Sequence, residues 1–568
     1  MCYNVLIFMD KRKIILQILI LTAITLTCYC HILHNPFVVD DDQFICRWQE
    51  THNFKNLPLF LKGITPYDHE GVYRPVKTIL IVLLYKVSGS NPLGYHVFSI
   101  VVHVLSVLLI YMIALSIVKR ARDFIPFFTA LFFAVHPVHV ESITYMTSSF
   151  DIAGIAFTLT AFLFYIKFLD QNRNYFYILS SFFALLSFFT YEVSLTLVLL
   201  IPLYNICFRD KPLVKFCIPY FLIAAFYFSA RFYCIGIGGK GGYILDNFYY
   251  TILMTPKVIL TYIQLLILPS NLTMNHKIYD GVYSMLYIGY NIETLSSFSF
   301  SDLRVFIPLS ISAICLILSL FYLKRKPIIT FSVLWFFISL LPVLNIVPSG
   351  ILMAEKFMYL ASFGYCFLLS YVLYELTLKS KYRYLAVFIV WAIAAFYFKT
   401  TVLQNYKWSS PFWHNEEEAA RFPNNPSALN NLAYTYIKIN NYETALKYLT
   451  KSRSLDPNGI RTRENMVACL IHMGHYNEAL QECQDLLKIH NRQFIVYTNM
   501  SAIYNRTGNY TDAASCAERA IHLQDFVPQS YNNLIEAYTK SGDTEKADKY
   551  YKLAIKKGLE VNNPKNYK

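Results

Sequence analysis

Long apolar stretches separated by short polar segments fill about the first 400 positions of the chain. A helix of about 20 apolar residues crosses the roughly 30 Å hydrocarbon core of a bilayer, because each helical residue adds about 1.5 Å. The pattern therefore predicts about 11 to 13 membrane-spanning helices. The clearest runs lie at 14–33, 124–140, 150–168, 174–190, 193–207, 215–234, 303–323, 327–347, 357–376 and 382–401.

Basic residues mark one side of this membrane region. Lys and Arg cluster beside alternate runs, at 11–13, 119–122, 324–326 and 379–383. Such flanks stay on the cytoplasmic side, so we expect a cytoplasmic N-terminus, with the first run as an uncleaved signal anchor. The loop that follows this run and the C-terminal region then share the extracytoplasmic side. That side is the periplasm or exterior in a prokaryote and the endoplasmic reticulum lumen in a eukaryote.

The run at 252–268 disturbs this alternation. If it crossed the membrane once, the basic cluster at 324–326 would fall on the outer side, against the charge rule. Two alternatives restore the order: the run is re-entrant, or a second short span lies within 278–292.

The C-terminal region has a repeating pattern with a period of 34 residues. Two series of positions show it: Asn431, Asn465, Asn499 and Asn533, and Ala445, Ala479, Ala513 and Ala547. This period is typical of tetratricopeptide helix pairs, which stack into a solenoid that binds protein on its concave face. We expect Gly474, Gly508 and Gly542 where the first helix of each pair must turn, with Asn440 in that place in the first repeat.

Together these patterns predict an all-α protein with two domains. A polytopic membrane domain covers 1–405, a junction covers 406–426, and a tetratricopeptide domain of four repeats covers 427–568.

Composition agrees with an integral membrane protein. Hydrophobic residues make up 55% of the chain and charged residues 15%, and the mean hydropathy is +0.38, which exceeds that of soluble globular chains. The net charge of +14 lies largely beside apolar runs, which argues against a nucleic-acid partner. The 12 cysteines form no CxxC pairs, so we expect neither a disulfide framework nor a zinc site.

Polar groups at the outer membrane boundary are the candidates for chemistry. The segment FVVDDDQFI at 37–45 carries three adjacent carboxylates, and YRPVKT at 73–78 carries Arg74. One Asp can take a proton from an acceptor hydroxyl while a cation holds a departing phosphate. The triplet alone is also compatible with a solvated acidic turn.

Three further segments extend this pattern: LFFAVHPVHVESITYMTSSFDIAG at 131–154, LPVLN at 341–345 and AEKFMYLASFGYC at 354–366. With the two segments above and the repeats, they resemble, in the same order, the blocks of the transmembrane and tetratricopeptide repeat-containing O-mannosyltransferases. The resemblance covers essentially the whole chain. It implies a C-type polytopic glycosyltransferase body.

The resemblance also implies site residues. Asp41 is the first choice of catalytic base and Asp40 the second, since both fall on the family's acidic pair while Asp42 lies beyond it. The implied donor-binding residues are Arg74, His136, His139, Glu141, Asp151, Glu355 and Lys356.

Simpler roles stay open for several of these residues. His136 and His139 could pack at a helix end, and without a third ligand at helical spacing we predict no metal site. Glu141 and Asp151 lie at the membrane boundary, where an ionisable group is costly unless it is solvated or functional. Glu355 and Lys356 could form a structural ion pair, although the resemblance implies a phosphate contact for Lys356.

The chain departs from the family pattern at the expected site. Lys356 replaces the family's Arg, and Ala361 replaces a Pro. Phe150 stands where an Arg precedes Asp151, and Tyr191 stands where a Lys precedes Glu192. Two cations of the expected site are thus missing, and a third is changed in kind.

The expected function is transfer of a hexose, mannose in the family, from a polyprenyl- or dolichyl-phosphate carrier to a hydroxyl of an exported or lumenal protein. Alternatives are a lipid- or glycan-directed transferase and a non-catalytic scaffold or transporter that displays the repeats. The expected partners are the lipid-phosphate sugar, membrane lipid, and an acceptor or accessory protein bound by the repeats. The lipid-phosphate sugar is the co-substrate, and no other cofactor is predicted; any requirement for a divalent metal is left open.

Overall fold

The computed structural model describes residues 11–38, 41–63, 72–118, 121–209, 214–236, 242–279, 282–284, 298–348, 350–489 and 493–567. The chain divides into two compact units at the boundary between Ser410 and Pro411. The first unit contains the apolar helices, and the second contains the repeats.

The first unit is built almost entirely from helices. They are α1 Lys11–Tyr29, α2 Leu57–Leu61, α3 Pro75–Ser88, α4 Pro92–Ile117, α5 Ile125–Val135, α6 Val140–Thr144, α7 Met146–Gln171, α8 Asn174–Phe188, α9 Leu197–Phe208, α10 Ile218–Ile235, α11 Phe248–Ile267, α12 Leu303–Phe321, α13 Pro327–Leu340, α14 Met358–Thr377 and α15 Arg383–Lys407. Several begin with Pro in their first turn, where the missing N–H costs nothing and the fixed φ suits a helix.

Eight helices within the described residues are long and apolar enough to cross a membrane. The helix pair α5 and α6, bent by 51° around His136, adds a ninth candidate. Three shorter apolar helices also occur, at Asn174–Phe188, Glu192–Phe208 and Pro327–Val343. The chain is therefore an integral membrane protein, as the sequence predicts.

The region around α11 makes contacts on both sides of the helix in sequence. Before this helix, the Tyr243 hydroxyl donates to the carbonyl of Ile346 at 3.0 Å. After it, the Thr273 N–H donates to Glu355 at 2.7 Å. Both acceptors belong to the connection between α13 and α14. The helix itself is unbroken and 20 residues long, so these contacts leave both alternatives open and the re-entrant course stays a prediction.

The described part of the segment 278–292 belongs to a β-hairpin and does not form a second short span. Lys277–Tyr279 and Val282–Tyr283 pair as an antiparallel β-hairpin, β1 and β2. The intervening Asp-Gly pair of the sequence is a strong hairpin signal that outweighs the apolar character of the flanks. Residues 280–281 and 285–292 lie outside the described residues. With α11 set aside, seven long helices, the bent pair and the three shorter helices give eleven candidate crossings in the described chain, which is the lower end of the predicted range.

Close helix packing forms the core of this unit. A Cβ at Gly364 of α14 would lie 2.4 Å from the Ser332 carbonyl of α13, so only glycine permits this approach. Trp335 is fully buried beside it and donates from its indole to the carbonyl of Leu360 at 2.9 Å. Small residues that let helix backbones approach closely are typical of membrane bundles.

The second unit is a helical repeat. Its helices are α16 Pro411–Arg421, α17 Pro426–Lys438, α18 Tyr442–Leu455, α19 Ile460–Met473, α20 Tyr476–Ile489, α21 Gln493–Thr507, α22 Tyr510–Leu523, α23 Pro528–Lys540 and α24 Thr544–Lys556. Asn440, Gly474, Gly508 and Gly542 all have positive φ, between 61° and 88°, as predicted for the turn inside each pair. The four periodic alanines are fully buried. The predicted all-α class, a membrane body followed by tetratricopeptide pairs, is confirmed.

The re-entrant alternative for α11 determines the orientation expected for everything after it. We expect a reporter inserted in the turn at Lys324 to face the cytosol and a reporter fused after the repeats to face the lumen or exterior. Protease protection in sealed microsomes measures both. If α11 crosses the membrane once, both reporters will appear on the opposite sides.

Candidate functional site

The first component of the site is the loop that follows α1. His96 of α4 donates from Nε2 to the carbonyl of Asn35 at 3.0 Å, which holds the start of the loop. At its other end the backbone N–H of Asp41 donates to the carbonyl of Val38 at 3.0 Å. Asp40, the second choice of base, lies outside the described residues.

Asp41 is fully buried and accepts four hydrogen bonds. Its Oδ1 accepts from the Thr147 N–H at 2.7 Å and from the Thr147 hydroxyl at 2.8 Å. Its Oδ2 accepts from the N–H groups of Val38 and Met146, each at 3.2 Å. Burial raises the pKa of Asp41, and these hydrogen bonds oppose the shift because they are made to the charged form. The net result is a pKa of about 7. A catalytic base must be within hydrogen-bond reach of its substrate, whereas the oxygens of Asp41 are buried and already accept four hydrogen bonds from the protein.

Arg74 forms the centre of the second component. Its Nε donates to Glu192 Oε2 at 2.7 Å, and its Nη1 lies 3.2 Å from Asp151 Oδ1. Burial alone would lower the pKa of Arg74, but Glu192 and Asp151 outweigh it and hold that pKa well above its usual value. Arg74 precedes α3, Asp151 lies in the second turn of α7, and Glu192 precedes α9, so one guanidinium joins three parts of the chain.

Lys77 adds a cation that the sequence analysis did not single out. It lies in the first turn of α3, and its Nζ is 2.7 Å from Asp151 Oδ1. Burial lowers the pKa of Lys77, and the nearby cations Arg74 and Lys356 lower it further, while Asp151 opposes the shift. The net result is a pKa of about 8. Lys77 therefore lies close enough to both Arg74 and Lys356 for their charges to act on it.

Lys356 lies beside Glu141, as an ion pair at the membrane boundary. Its backbone N–H donates to Glu141 Oε2 at 3.0 Å, and its Nζ is 4.0 Å from Oε1. The ammonium also lies 5.3 Å above the ring centre of Tyr145, a cation–π distance. Glu141 is only 4% exposed, whereas the Lys356 side chain keeps 19% of its surface. Of this pair, the lysine is the group that a ligand can reach.

Glu355 has a different partner from the one predicted. Its Oε1 accepts from the Thr273 N–H at 2.7 Å and from His276 Nε2 at 3.0 Å. The carboxylate is 3% exposed and attaches the segment between α11 and β1 to the start of α14. The structure supports an anchoring role for Glu355, and its predicted role in donor binding stays a prediction.

His136 and His139 lie in the helical core, apart from these charges. His136 Nε2 donates to the carbonyl of Leu266 at 3.0 Å, and His139 Nε2 lies 2.8 Å from the Ser362 hydroxyl. Both side chains are fully buried among aromatic rings. These surroundings match the packing alternative, and the donor-binding role of the two histidines stays a prediction.

The departures from the family pattern have local explanations. Phe150 is fully buried and packs on Phe98 at 5.2 Å between ring centres. Tyr191 lies beneath Arg74, with the guanidinium carbon 5.0 Å from its ring centre. Gly154 follows Asp151 in α7 by three residues, about one helical turn. A Cβ at Gly154 would lie 3.0 Å from the Tyr191 Cβ, so Tyr191 packs closely against this turn. Aromatic packing thus replaces two expected cations.

No group of three or more His, Cys, Asp or Glu side chains that could hold a metal ion occurs in the described part of the chain. The prediction that the protein has no dedicated metal site stays a prediction.

The curated relatives are animal glycosyltransferases. Protein O-mannosyl-transferase TMTC3 of Mus musculus is 22% identical over 510 residues, which is 82% of this chain and 54% of the relative. TMTC3 of Homo sapiens is 21% identical, over 96% of this chain and 64% of the relative. Protein O-mannosyl-transferase F38B6.6 of Caenorhabditis elegans is 27% identical, over 64% and 52%. The chain thus spans about half to two thirds of the length of these relatives.

The chain is similar to the TMTC protein O-mannosyl-transferases. Family models agree for the repeats: that of anaphase-promoting complex, cyclosome, subunit 3 matches residues 414–485, and that of the PPR repeat matches 529–559. Among solved structures, a thermophilic TPR protein of Thermus thermophilus is 20% identical over 28% of this chain and 86% of that chain, with a TM-score of 0.25.

The surroundings of the histidines predict the effect of replacing them. His139→Phe leaves the Ser362 hydroxyl with one partner fewer in the core, so we expect a loss of about 1–3 kcal/mol in folding free energy. The apparent KM for a lipid-phosphate sugar should stay unchanged, because the ring does not contact the charged residues. Thermal unfolding and transfer kinetics of the purified chain test this. A tenfold higher KM for the lipid-phosphate sugar, with unchanged thermal stability, would instead indicate that His139 belongs to the donor site.

Proposed function

We propose that this chain is a membrane glycosyltransferase that moves mannose from a polyprenyl- or dolichyl-phosphate carrier to a hydroxyl group of an exported or lumenal protein. The observation that carries the proposal is the convergence of Arg74, Lys77 and Lys356 with three partly or fully buried carboxylates at one side of the membrane body. The names of the curated relatives support the reaction class.

The reaction needs two functions from these residues. A carboxylate of the triplet Asp40–Asp42 accepts the acceptor's hydroxyl proton as the oxygen attacks the anomeric carbon. The bond from that carbon to the phosphate oxygen breaks, and the phosphate leaves with the electron pair. Cations near that oxygen stabilise the charge as it develops, so they lower the barrier more than they favour ground-state binding.

Burial makes a purely structural reading of the charges less favourable. Removing an ion from water costs several kcal/mol, and a buried pair often contributes little net stability. Ionisable groups at membrane depth therefore tend to mark functional sites. Arg74 and Lys356 each keep about a fifth of their side-chain surface exposed, 22% and 19%, so a ligand can reach both. A scaffold that only displays the repeats would not need this cluster.

Lys77 gives the proposal a pH dependence. Because its pKa is about 8, the ammonium loses its charge as the pH rises through that value, and affinity for the lipid phosphate should fall with it. Lys77→Arg keeps the charge and should remove this alkaline limb. Lys77→Met should raise the donor KM roughly 10- to 100-fold at pH 7, the effect of one lost charged hydrogen bond. Lys86→Met, in the exposed last turn of α3, is the matched control; equal KM values for all variants would remove Lys77 from the site.

Donor and acceptor binding can be separated by two further changes. Lys356→Met should lower transfer to a short peptide and to a folded protein by the same factor, and Lys356→Arg should preserve or raise it. Truncation after Ser410 should spare the short peptide and weaken transfer to the protein, because only the protein needs the solenoid surface. Labelled mannose transfer measures both. Equal losses on the two acceptors after truncation would show that the repeats do not select the substrate, and transfer to lipid or glycan alone would favour the alternative acceptor class.

A further inference from the structure

The start of α7 is capped by a residue that lies more than 100 positions earlier in the sequence. The first helical N–H groups, of Met146 and Thr147, have no partner inside the helix. Tyr145, the residue at the N-cap position, makes no side-chain capping bond. The Asp41 carboxylate accepts from both N–H groups instead, at 3.2 and 2.7 Å. Its negative charge also suits the positive end of the helix dipole.

This cap occupies the whole acceptor capacity of the side chain. An ionised carboxylate offers about four lone-pair sites, and four donors from Val38, Met146 and Thr147 approach them at 2.7–3.2 Å. A general base must be within hydrogen-bond reach of the proton it removes. Asp41 has 0% exposed surface, so it can take a substrate proton only after one of these bonds breaks.

The capped turn connects two parts of the site. Asp151, which holds Arg74 and Lys77, follows Thr147 by four residues, about one helical turn. The same carboxylate holds Val38 in the loop after α1, whose other end is held by His96. A shift of Asp41 would therefore move the acidic loop relative to the cations.

We propose that Asp41 is a positioning residue: it caps α7 and fixes the acidic loop against it, and the proton of the acceptor goes to a different carboxylate. This proposal rests on the proposed function. Asp40 is the candidate base that the sequence offers next. The four hydrogen bonds of the cap lower the pKa of Asp41, because they are made to the ionised side chain, and burial opposes them.

A thiol acceptor distinguishes a base from a positioning residue. A cysteine side chain has a pKa of about 8.5, so at pH 8.5 about half of it is already ionised and needs no base. We compare a serine peptide with the same peptide carrying cysteine, using the full-length wild type, Asp40→Asn, Asp41→Asn and, as the matched acidic control, Asp42→Asn. Loss of a base costs roughly 100- to 10,000-fold on the serine peptide and should largely disappear on the cysteine peptide.

The proposal predicts that Asp40→Asn shows this recovery, whereas Asp41→Asn loses the same factor on both peptides. Recovery of Asp41→Asn on the thiol would make Asp41 the base and overturn the proposal. The second readout is amide hydrogen exchange, which does not depend on activity. In Asp41→Asn the Val38, Met146 and Thr147 amides should exchange roughly 2- to 30-fold faster, the range for a lost cap.

Amide hydrogen exchange decides the role of Asp41 in the cases where the transfer assay cannot. If the wild type uses neither peptide, the proposed function fails, and exchange alone decides whether Asp41 caps α7. If the wild type uses only the serine peptide, exchange again decides: unchanged rates at the three amides overturn the cap. If Asp41→Asn does not fold, Thr147→Val removes one of the four bonds at constant volume and should show the faster exchange at Thr147, with a smaller loss of transfer.

Discussion

One guanidinium group sets the geometry of the charged cluster in the membrane body. Arg74 bridges Asp151 and Glu192, which belong to elements that follow different apolar helices. Because a guanidinium is planar and always charged, it fixes both carboxylates in direction as well as in distance. Lys77 shares Asp151 with it. The start of α3, the second turn of α7 and the entry to α9 are therefore held together by charge at a place where water is scarce.

This arrangement explains how the chain tolerates its departures from the family pattern. The Arg expected before Asp151 is a phenylalanine in an aromatic cluster, and the Lys expected before Glu192 is a tyrosine beneath Arg74. A buried carboxylate with no cation would be costly. Lys77 supplies the missing charge at Asp151 from a different helix. Positive charge is thus retained at the site, although two of its sources differ from those that the family pattern would provide.

The repeats and the charged blocks were predictable for different reasons. A 34-residue period reports stacked helix pairs directly, since Gly474 and its equivalents must adopt positive φ in any such turn. The blocks identified Arg74 and Asp151 through resemblance, and the structure brings these two together. Lys77 was overlooked because one lysine in a short helix has no distinguishing pattern. The Asp-Gly pair in the sequence between β1 and β2 was a usable hairpin signal that the apolar flanks obscured.

Other features could not be read from a linear pattern. The cap on α7 joins residues more than 100 positions apart, and the roles of His136 and His139 depend on which rings surround them. The segments that flank α11 make hydrogen bonds with the connection between α13 and α14. In each case local sequence allows two structures, and only tertiary contacts can select between them.

The central claim is that these cations form a site for a lipid phosphate. The most direct measurement is an experimental structure of the purified chain with bound polyprenyl-phosphate mannose. The account predicts the phosphate within hydrogen-bond distance of at least two of the side chains of Arg74, Lys77 and Lys356. A lipid phosphate bound elsewhere, with all three cations still paired to Asp151, Glu192 and Glu141, would contradict it.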